Sequence, residues 1–226
     1  MQHFTLARRH GLDDALAAMA LSRLPAPRLY PVADGIYVHV SYREEDGLPH
    51  PSNGLLVVGR HGALLVDTAA TPADTSRLID KIDRLTSGAP LQVYVTEARP
   101  DVLGGLAAVH ERGLASLGHE TTAAAALAAG LPPPRADWQG EAMAFEVGDR
   151  PIEIFHPGAG QSRINTMVYV EDADCLFGGS LIPPWGNTPG PGGQIALRAA
   201  IARFHYPAIV VPGWGRPGDG DLLAAL

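Results

Sequence analysis

Residues able to do chemistry are thinly spread along this chain. Nine histidines, His3, His10, His39, His50, His61, His110, His119, His156 and His205, could bind metals or carry protons. None forms a His-x-His or His-x₃-His pair, the spacings that bring two imidazoles to one metal. The single cysteine, Cys175, excludes an internal disulfide and a multi-cysteine zinc cluster. Lying on an expected strand, it reads as a buried, inert thiol. Ser180, in Gly178-Gly179-Ser180, lacks the Gly-x-Ser-x-Gly elbow of a serine hydrolase, and no base for it is evident. The polar turn over residues 96–101 is denser, with Glu97, Arg99 and Asp101 at every second position. Its carboxylates are hard oxygen ligands. Its guanidinium is always charged and cannot coordinate a cation.

The elements that must position these groups follow from periodicity. Residues 36–42 are β-branched and aromatic and predict a strand. Residues 43–51, with two prolines, read as a polar loop. Residues 55–58 and 63–66 form a hairpin around Gly59-Arg60-His61-Gly62. Thr71 and Pro72 open a helix as N-cap and first helical position. Its buried face is Leu78, Ile79, Ile82 and Leu85, and Gly88 ends it. A strand over 91–95 feeds the polar turn. A helix over 102–110, a short strand over 114–117 and an alanine-rich helix over 121–129 follow, then a loop over 131–140. Residues 142–147 and 152–155 predict a second hairpin, 167–170 and 175–177 a third. A helix over 194–204, a strand over 208–211 and a helical start at 219–226 complete the chain. Hairpins then α/β alternation, twice over, predict two sheets packed face to face with helices outside.

The 226 residues, 46% of them hydrophobic, suffice for one sizeable core, and no linker divides them. Residues 1–27 read as a helical extension and 28–226 as the domain. Within the extension, Leu12, Leu16, Met19 and Leu24 keep helical spacing over 11–24. A signal-peptide remnant is the other reading, although Asp13, Asp14 and Arg23 interrupt its apolar stretch. A cytoplasmic location is therefore expected, with a periplasmic one as the alternative. No apolar run is long enough to span a membrane. A net charge of −7 argues against nucleic acid and anionic membranes as partners, leaving a small molecule or a protein.

Five phrases then combine. They are Pro51-Ser52-Asn53-Gly54-Leu55-Leu56-Val57, Ala63-Leu64-Leu65-Val66-Asp67-Thr68-Ala69, Phe155-His156-Pro157-Gly158-Ala159-Gly160, Phe177-Gly178-Gly179-Ser180-Leu181-Ile182, and His205-Tyr206-Pro207 followed by Val211-Pro212-Gly213-Trp214-Gly215. In order and spacing this resembles the metallo-β-lactamases of the first subclass of class B, most closely the VIM-type enzymes. The resemblance runs from about Tyr30 to Leu223. It implies an αβ/βα four-layer sandwich with its active site at one edge of the sheets.

The family binds two zinc ions, and the resemblance assigns its six ligand positions here. The turn that carries His-x-His-x-Asp in the family reads Glu97-Ala98-Arg99-Pro100-Asp101, so only the Asp is kept. The third His aligns with Gln161, the Cys with Ser180 and the last His with Trp214. A serine hydroxyl stays protonated at neutral pH, and an indole nitrogen only donates. Two Zn²⁺ against an Asp and a thiolate leave the family's site roughly +2, whereas Glu97, Asp101 and Arg99 leave this one roughly −1. Without the metal there is no Lewis acid for a lactam carbonyl. No zinc or other cofactor is expected; Glu97, Asp101 and His156 are the weak candidates for a single metal. Asp67 is implied to brace the turn. Asn187 lies near a substrate-facing position of the family, and His50 lies on a loop that would overhang the site. Arg99 is expected to fold toward Asp101, with Glu97 as second partner and Trp214 across the second metal site. The implied function is a pseudoenzyme or repurposed binding protein, with a residual or altered hydrolase as the alternative. A recombined or engineered scaffold would read the same way.

Overall fold

The computed structural model describes residues 24–158, 165–184, 187 and 190–224. All but the last residue of the helix expected over 11–24 lies outside them, as does Gln161. The described residues form two sheets. In the first, β1 (Arg28–Ala33), β2 (Ile36–Glu45), β3 (Leu48–Gly59), β4 (Gly62–Val66), β5 (Leu91–Val95), β6 (Ala115–His119) and β7 (Ala136–Trp138) lie side by side in chain order. Pairing is antiparallel as far as β4, then parallel, because helices connect the later strands. The second sheet runs β12 (Ile209–Pro212), β11 (Cys175–Gly179), β10 (Met167–Val170), β9 (Arg150–Phe155), β8 (Ala142–Val147). Only its β11–β12 pair is parallel, joined through α5 (Pro191–Phe204).

Strand alternation sends one face of each sheet inward. Ile36, Val38, Leu55, Leu64 and Tyr94 of the first sheet meet Ile152, Ile154, Val168 and Phe177 of the second in the central core. The outer face of the first sheet, including Leu56, Leu65 and Val93, packs on α1 (Pro72–Thr86), α3 (Leu106–Glu111) and α4 (Glu120–Ala128). The outer face of the second packs on α5 through Ala196, Leu197, Ala200 and Phe204. This is the helix–sheet–sheet–helix sandwich that the resemblance implies.

Thr71 caps α1 as its sequence predicts: its hydroxyl oxygen accepts from the Asp74 N–H at 3.1 Å. The helix expected over 102–110 is instead two pieces, α2 (Pro100–Leu103) and α3. They break where a Cβ on Gly105 would sit 1.8 Å from Thr75 Oγ1, so the backbone there must stay bare. β1 was unread in the sequence and β7 lies inside the loop expected over 131–140; both are short edge strands, one interrupted by Pro31 and one preceded by Pro132-Pro133-Pro134. The expected C-terminal helix is a single 3₁₀ turn, Gly220–Leu222.

The largest correction concerns residues 43–51. They form no loop: β2 and β3 continue as a two-stranded ribbon closed by Asp46 (φ 52°) and Gly47 (φ 77°). Two successive positive φ values make the turn whose twist suits a hairpin. Beyond Leu55, β3 pairs with no strand on its β4 side among the described residues, so the ribbon stands free of the sheet. The Asn53 N–H leaves the ribbon to reach Gly213 O at 2.7 Å. Pro51 and Pro49 share its side by the two-residue period, so their missing N–H groups remove no ladder bond and blunt the open edge.

His39, on the outer face of β2, is fully buried and lies over Gly54, where its Nε2 would be 1.9 Å from any Cβ. Nε2 donates to Val66 O (3.0 Å) and Asp67 O (3.2 Å), while Nδ1 has no partner among the described residues. Burial pushes the imidazole down to about 4, against the opposing effect of those two carbonyls. As pH falls below about 6.5 the unfolded chain takes up this proton before the folded one. Stability tied to His39 is therefore lost from there down to about pH 4, by roughly 3 kcal/mol. Urea unfolding across this range should show that slope in the wild type relative to His39→Gln; parallel curves would contradict it.

Candidate functional site

One edge of the sandwich collects the ends of β4, β5, β11 and β12 and the middle of β3. Asp67 directly follows β4 in a left-handed conformation (φ 64°) that its short polar side chain tolerates. Its carboxylate accepts from the Thr96 N–H (2.8 Å) and from the Thr96 hydroxyl (3.0 and 2.9 Å). That clamp fixes the start of the 96–101 turn against β4. Burial raises the Asp67 pKa well above its ordinary value, opposed by Thr96 and reinforced by the charges of Glu97 and Asp101.

Along the turn, Glu97 and Asp101 are buried and Arg99 is half-exposed. Arg99 lies side-on to Asp101: Nε donates to Oδ1 at 3.1 Å and Nη2 to Oδ2 at 2.8 Å. Its Nη1 stands 3.8 Å from Glu97 Oε1. Burial by itself would lower the Arg99 pKa, but the charges of Glu97 and Asp101 outweigh it and hold the group above its ordinary value. Glu97 Oε2 accepts from Ser180 Oγ (3.0 Å) and Asn165 Nδ2 (2.9 Å), and Asn165 also donates to Ser180 (2.6 Å). Burial raises the Glu97 pKa, with Arg99 and then these hydrogen bonds opposing. The carboxylate that the sequence could not supply to Ser180 is therefore Glu97, 83 residues away.

These groups surround a cavity of about 10 Å³, room for about one water molecule. Trp214 walls it and stays 37% exposed on its other side. Its loop is pinned by Asn53, whose Nδ2 donates to Pro212 O and Gly215 O, both at 2.9 Å. On the far side of Trp214 and Arg99 opens a cleft of about 350 Å³ roofed by the β2–β3 ribbon. Arg43 and His50 face it, Arg43 reaching Glu45 (2.6 Å) and standing 3.9 Å from Asp101.

The remaining expected residues lie apart. His156 stacks on His119 at 4.3 Å and lines a different cavity with Glu141 and Phe155, so it does not converge with Glu97 and Asp101. Among the described residues no cluster of three His, Cys, Asp or Glu side chains is arranged to hold a metal. Asn187 is exposed, its N–H on Pro184 O at 3.2 Å. Cys175 is buried, and burial pushes its thiol up to about 12. Sequence reasoning missed Asn165 and Arg43. Asp46-Gly47 was the available signal for the ribbon that carries Arg43; no local pattern marks Asn165.

No family model matches the chain. It is 29% identical over 196 residues to a metallo-β-lactamase type 2 of Bacillus sp. (strain 170), spanning 83% of this chain and 76% of that one. To the type 2 enzyme of Bacteroides fragilis it is 26% identical, spanning 85% and 80%. Among solved structures, a metallo-β-lactamase from Pontibacter korlensis superposes with a TM-score of 0.82 at 28% identity, covering 88% of this chain and 96% of that one. FIM-1 from Pseudomonas aeruginosa, in a mono-zinc form, gives 0.78 at 26%, covering 89% and 93%. The fold is the metallo-β-lactamase fold. The chain is thus similar over most of its length to type 2 metallo-β-lactamases and to solved metallo-β-lactamases. Among the described residues no helix is long and apolar enough to cross a membrane.

The ion pair is partly exposed, so each half contributes modestly. Arg99→Ala and Asp101→Ala should each lower unfolding stability by about 1–2 kcal/mol, with the double variant losing less than the sum by about 1 kcal/mol. Urea denaturation checks this, and additive losses would contradict the pairing.

Proposed function

We propose that this chain is a metallo-β-lactamase-fold protein without an intact dinuclear zinc site, working as a binding protein rather than as an efficient β-lactam hydrolase. The observation that carries this is the side-on contact of Arg99 with Asp101. The family's zinc does not suit the donors present. Both Asp101 oxygens are engaged by a cation that cannot leave its charge behind. Glu97 Oε2 is held by two donors, and the indole of Trp214 offers no lone pair. The assignment of Glu97, Arg99, Gln161, Ser180 and Trp214 to former ligand positions, and the affinity to VIM-type enzymes, belong to this reading. With the net charge of −7, a small molecule or a protein suits it better than nucleic acid.

A second reading, an altered hydrolase working without metal, draws on the 3.0 Å contact between Ser180 and Glu97. Against it stands the space beside Ser180, which admits about one water and no acyl group.

Protein purified without chelator should carry far less than stoichiometric zinc, and EDTA should leave its melting temperature unchanged, since no linked ligand is removed. Chromogenic β-lactam hydrolysis with added zinc should stay at the buffer rate. Glu97→His with Arg99→His should change little, because Gln161 leaves the first site incomplete. A marked fall in melting temperature with EDTA, or enzyme-like turnover lost in Asp101→Ala, would overturn the proposal.

A further inference from the structure

We infer that β8, the outermost strand of the second sheet, pairs antiparallel with β8 of a second copy of this chain, making a two-fold dimer.

The two sheets have four edges, β1 and β7 in the first and β12 and β8 in the second. A bare edge strand is a template for another chain, and folded proteins blunt it with proline, a bulge, brevity or a cover. Three of these edges are blunted. β1 carries Pro31, which has no N–H, and its register shifts between Pro31 and Ala33. β7 is three residues long. β12 is covered: the Val210 N–H bonds to Gly218 O at 2.8 Å and the Gly218 N–H returns to Val210 O at 2.9 Å. β8 has none of these devices. Its six residues, Ala142-Met143-Ala144-Phe145-Glu146-Val147, run in unbroken register with β9 and carry one charge, on Glu146.

One bond tells which of its backbone groups are open. The His156 N–H donates to Glu141 O at 2.8 Å, and the β8–β9 register, continued by one position, sets these two residues opposite each other. In an antiparallel pair, hydrogen-bonded positions alternate. Met143, Phe145 and Val147 therefore bond to β9, and Ala142, Ala144 and Glu146 turn their N–H and C=O groups away from it. Pro151 agrees with this, since it stands opposite Glu146 and has no N–H to give. The three outward residues are exposed, and among the described residues no backbone group from another element bonds to theirs.

A second copy supplies the matching strand. With Ala144 opposite Ala144 on a two-fold axis, Ala142 faces Glu146 of the second copy and Glu146 faces its Ala142. All three residues then sit in hydrogen-bonded pairs, about six bonds in all. Any other antiparallel register leaves one of them opposite a position outside the strand. The side chains favour the same register. Met143 and Phe145, only partly buried against the central core, fall opposite Phe145 and Met143 of the second copy. These are the non-hydrogen-bonded positions, where side chains come closest, and a thioether against an aromatic ring is a favourable contact. Each Glu146 carboxylate faces an alanine, so no like charges stand opposite. The two five-stranded sheets become one continuous sheet.

Sedimentation equilibrium of the 226-residue chain tests this. It should show a species of twice the chain mass that dissociates on dilution. Ala144→Lys sets two ammonium groups opposite each other on the axis and should weaken association by about tenfold or more, with circular dichroism unchanged. Register is read by cross-linking with a short bismaleimide, from which the buried Cys175 is shielded. Ala144→Cys should give a covalent dimer, whereas Tyr30→Cys, 44% exposed on the β1 edge, should stay monomeric. Should Ala144→Lys lose the wild-type spectrum, the cross-linking decides alone. A monomer at every concentration, a dimer indifferent to Ala144→Lys, or cross-linking through Tyr30→Cys in place of Ala144→Cys would each overturn the inference.

Discussion

A guanidinium cannot shed its charge, and Arg99 is held where two sheets and a ribbon converge. Leaving that partly desolvated charge without a partner is costly. Asp101 meets it with both oxygens, two residues along the same turn. The rest of the edge conforms to this pair. Glu97, turned inward, bonds to Ser180 and Asn165 and stands 3.8 Å from the same cation, and the space left at this edge admits about one water.

The scaffold holds this arrangement through features that lie outside the cleft. Asp67 clamps Thr96 and so sets where the turn begins, with a left-handed backbone and a carboxylate that burial keeps easy to protonate. Asn53 ties β3 to the loop carrying Trp214, joining the first sheet to the end of the second. His39 crosses beneath the β4 end and bonds to the carbonyls of Val66 and Asp67. Each is a polar group spent on positioning. Together they fix the edge on which Glu97, Arg99, Asp101 and Ser180 meet.

Much of the fold was legible because its signals are local. Thr71 with Pro72 marks a helix start, and the apolar alternation of residues 55–58 and 63–66 marks a hairpin. Five phrases in order carried the family resemblance, with homologues and neighbours now supporting it. The ribbon was misread because Pro49 and Pro51 suggest a loop; they are tolerated only because their side of β3 has no strand to bond. Glycines 104 and 105 split a helix that periodicity alone would run through. In the site, the approach of Arg99 to Asp101 was foreseeable from spacing and charge. The Glu97–Ser180–Asn165 cluster was not, since its members come from three distant segments and only the packing of two sheets brings them together.

We propose that the Arg99–Asp101 pair stands where a metal would otherwise bind. A crystal structure determined from crystals grown in millimolar zinc, with anomalous data at the zinc edge, tests it directly. The account predicts Arg99 still side-on to Asp101 and no anomalous peak among Glu97, Asp101 and Ser180. A zinc peak within bonding distance of Asp101, with Arg99 swung out toward the ribbon, would contradict it.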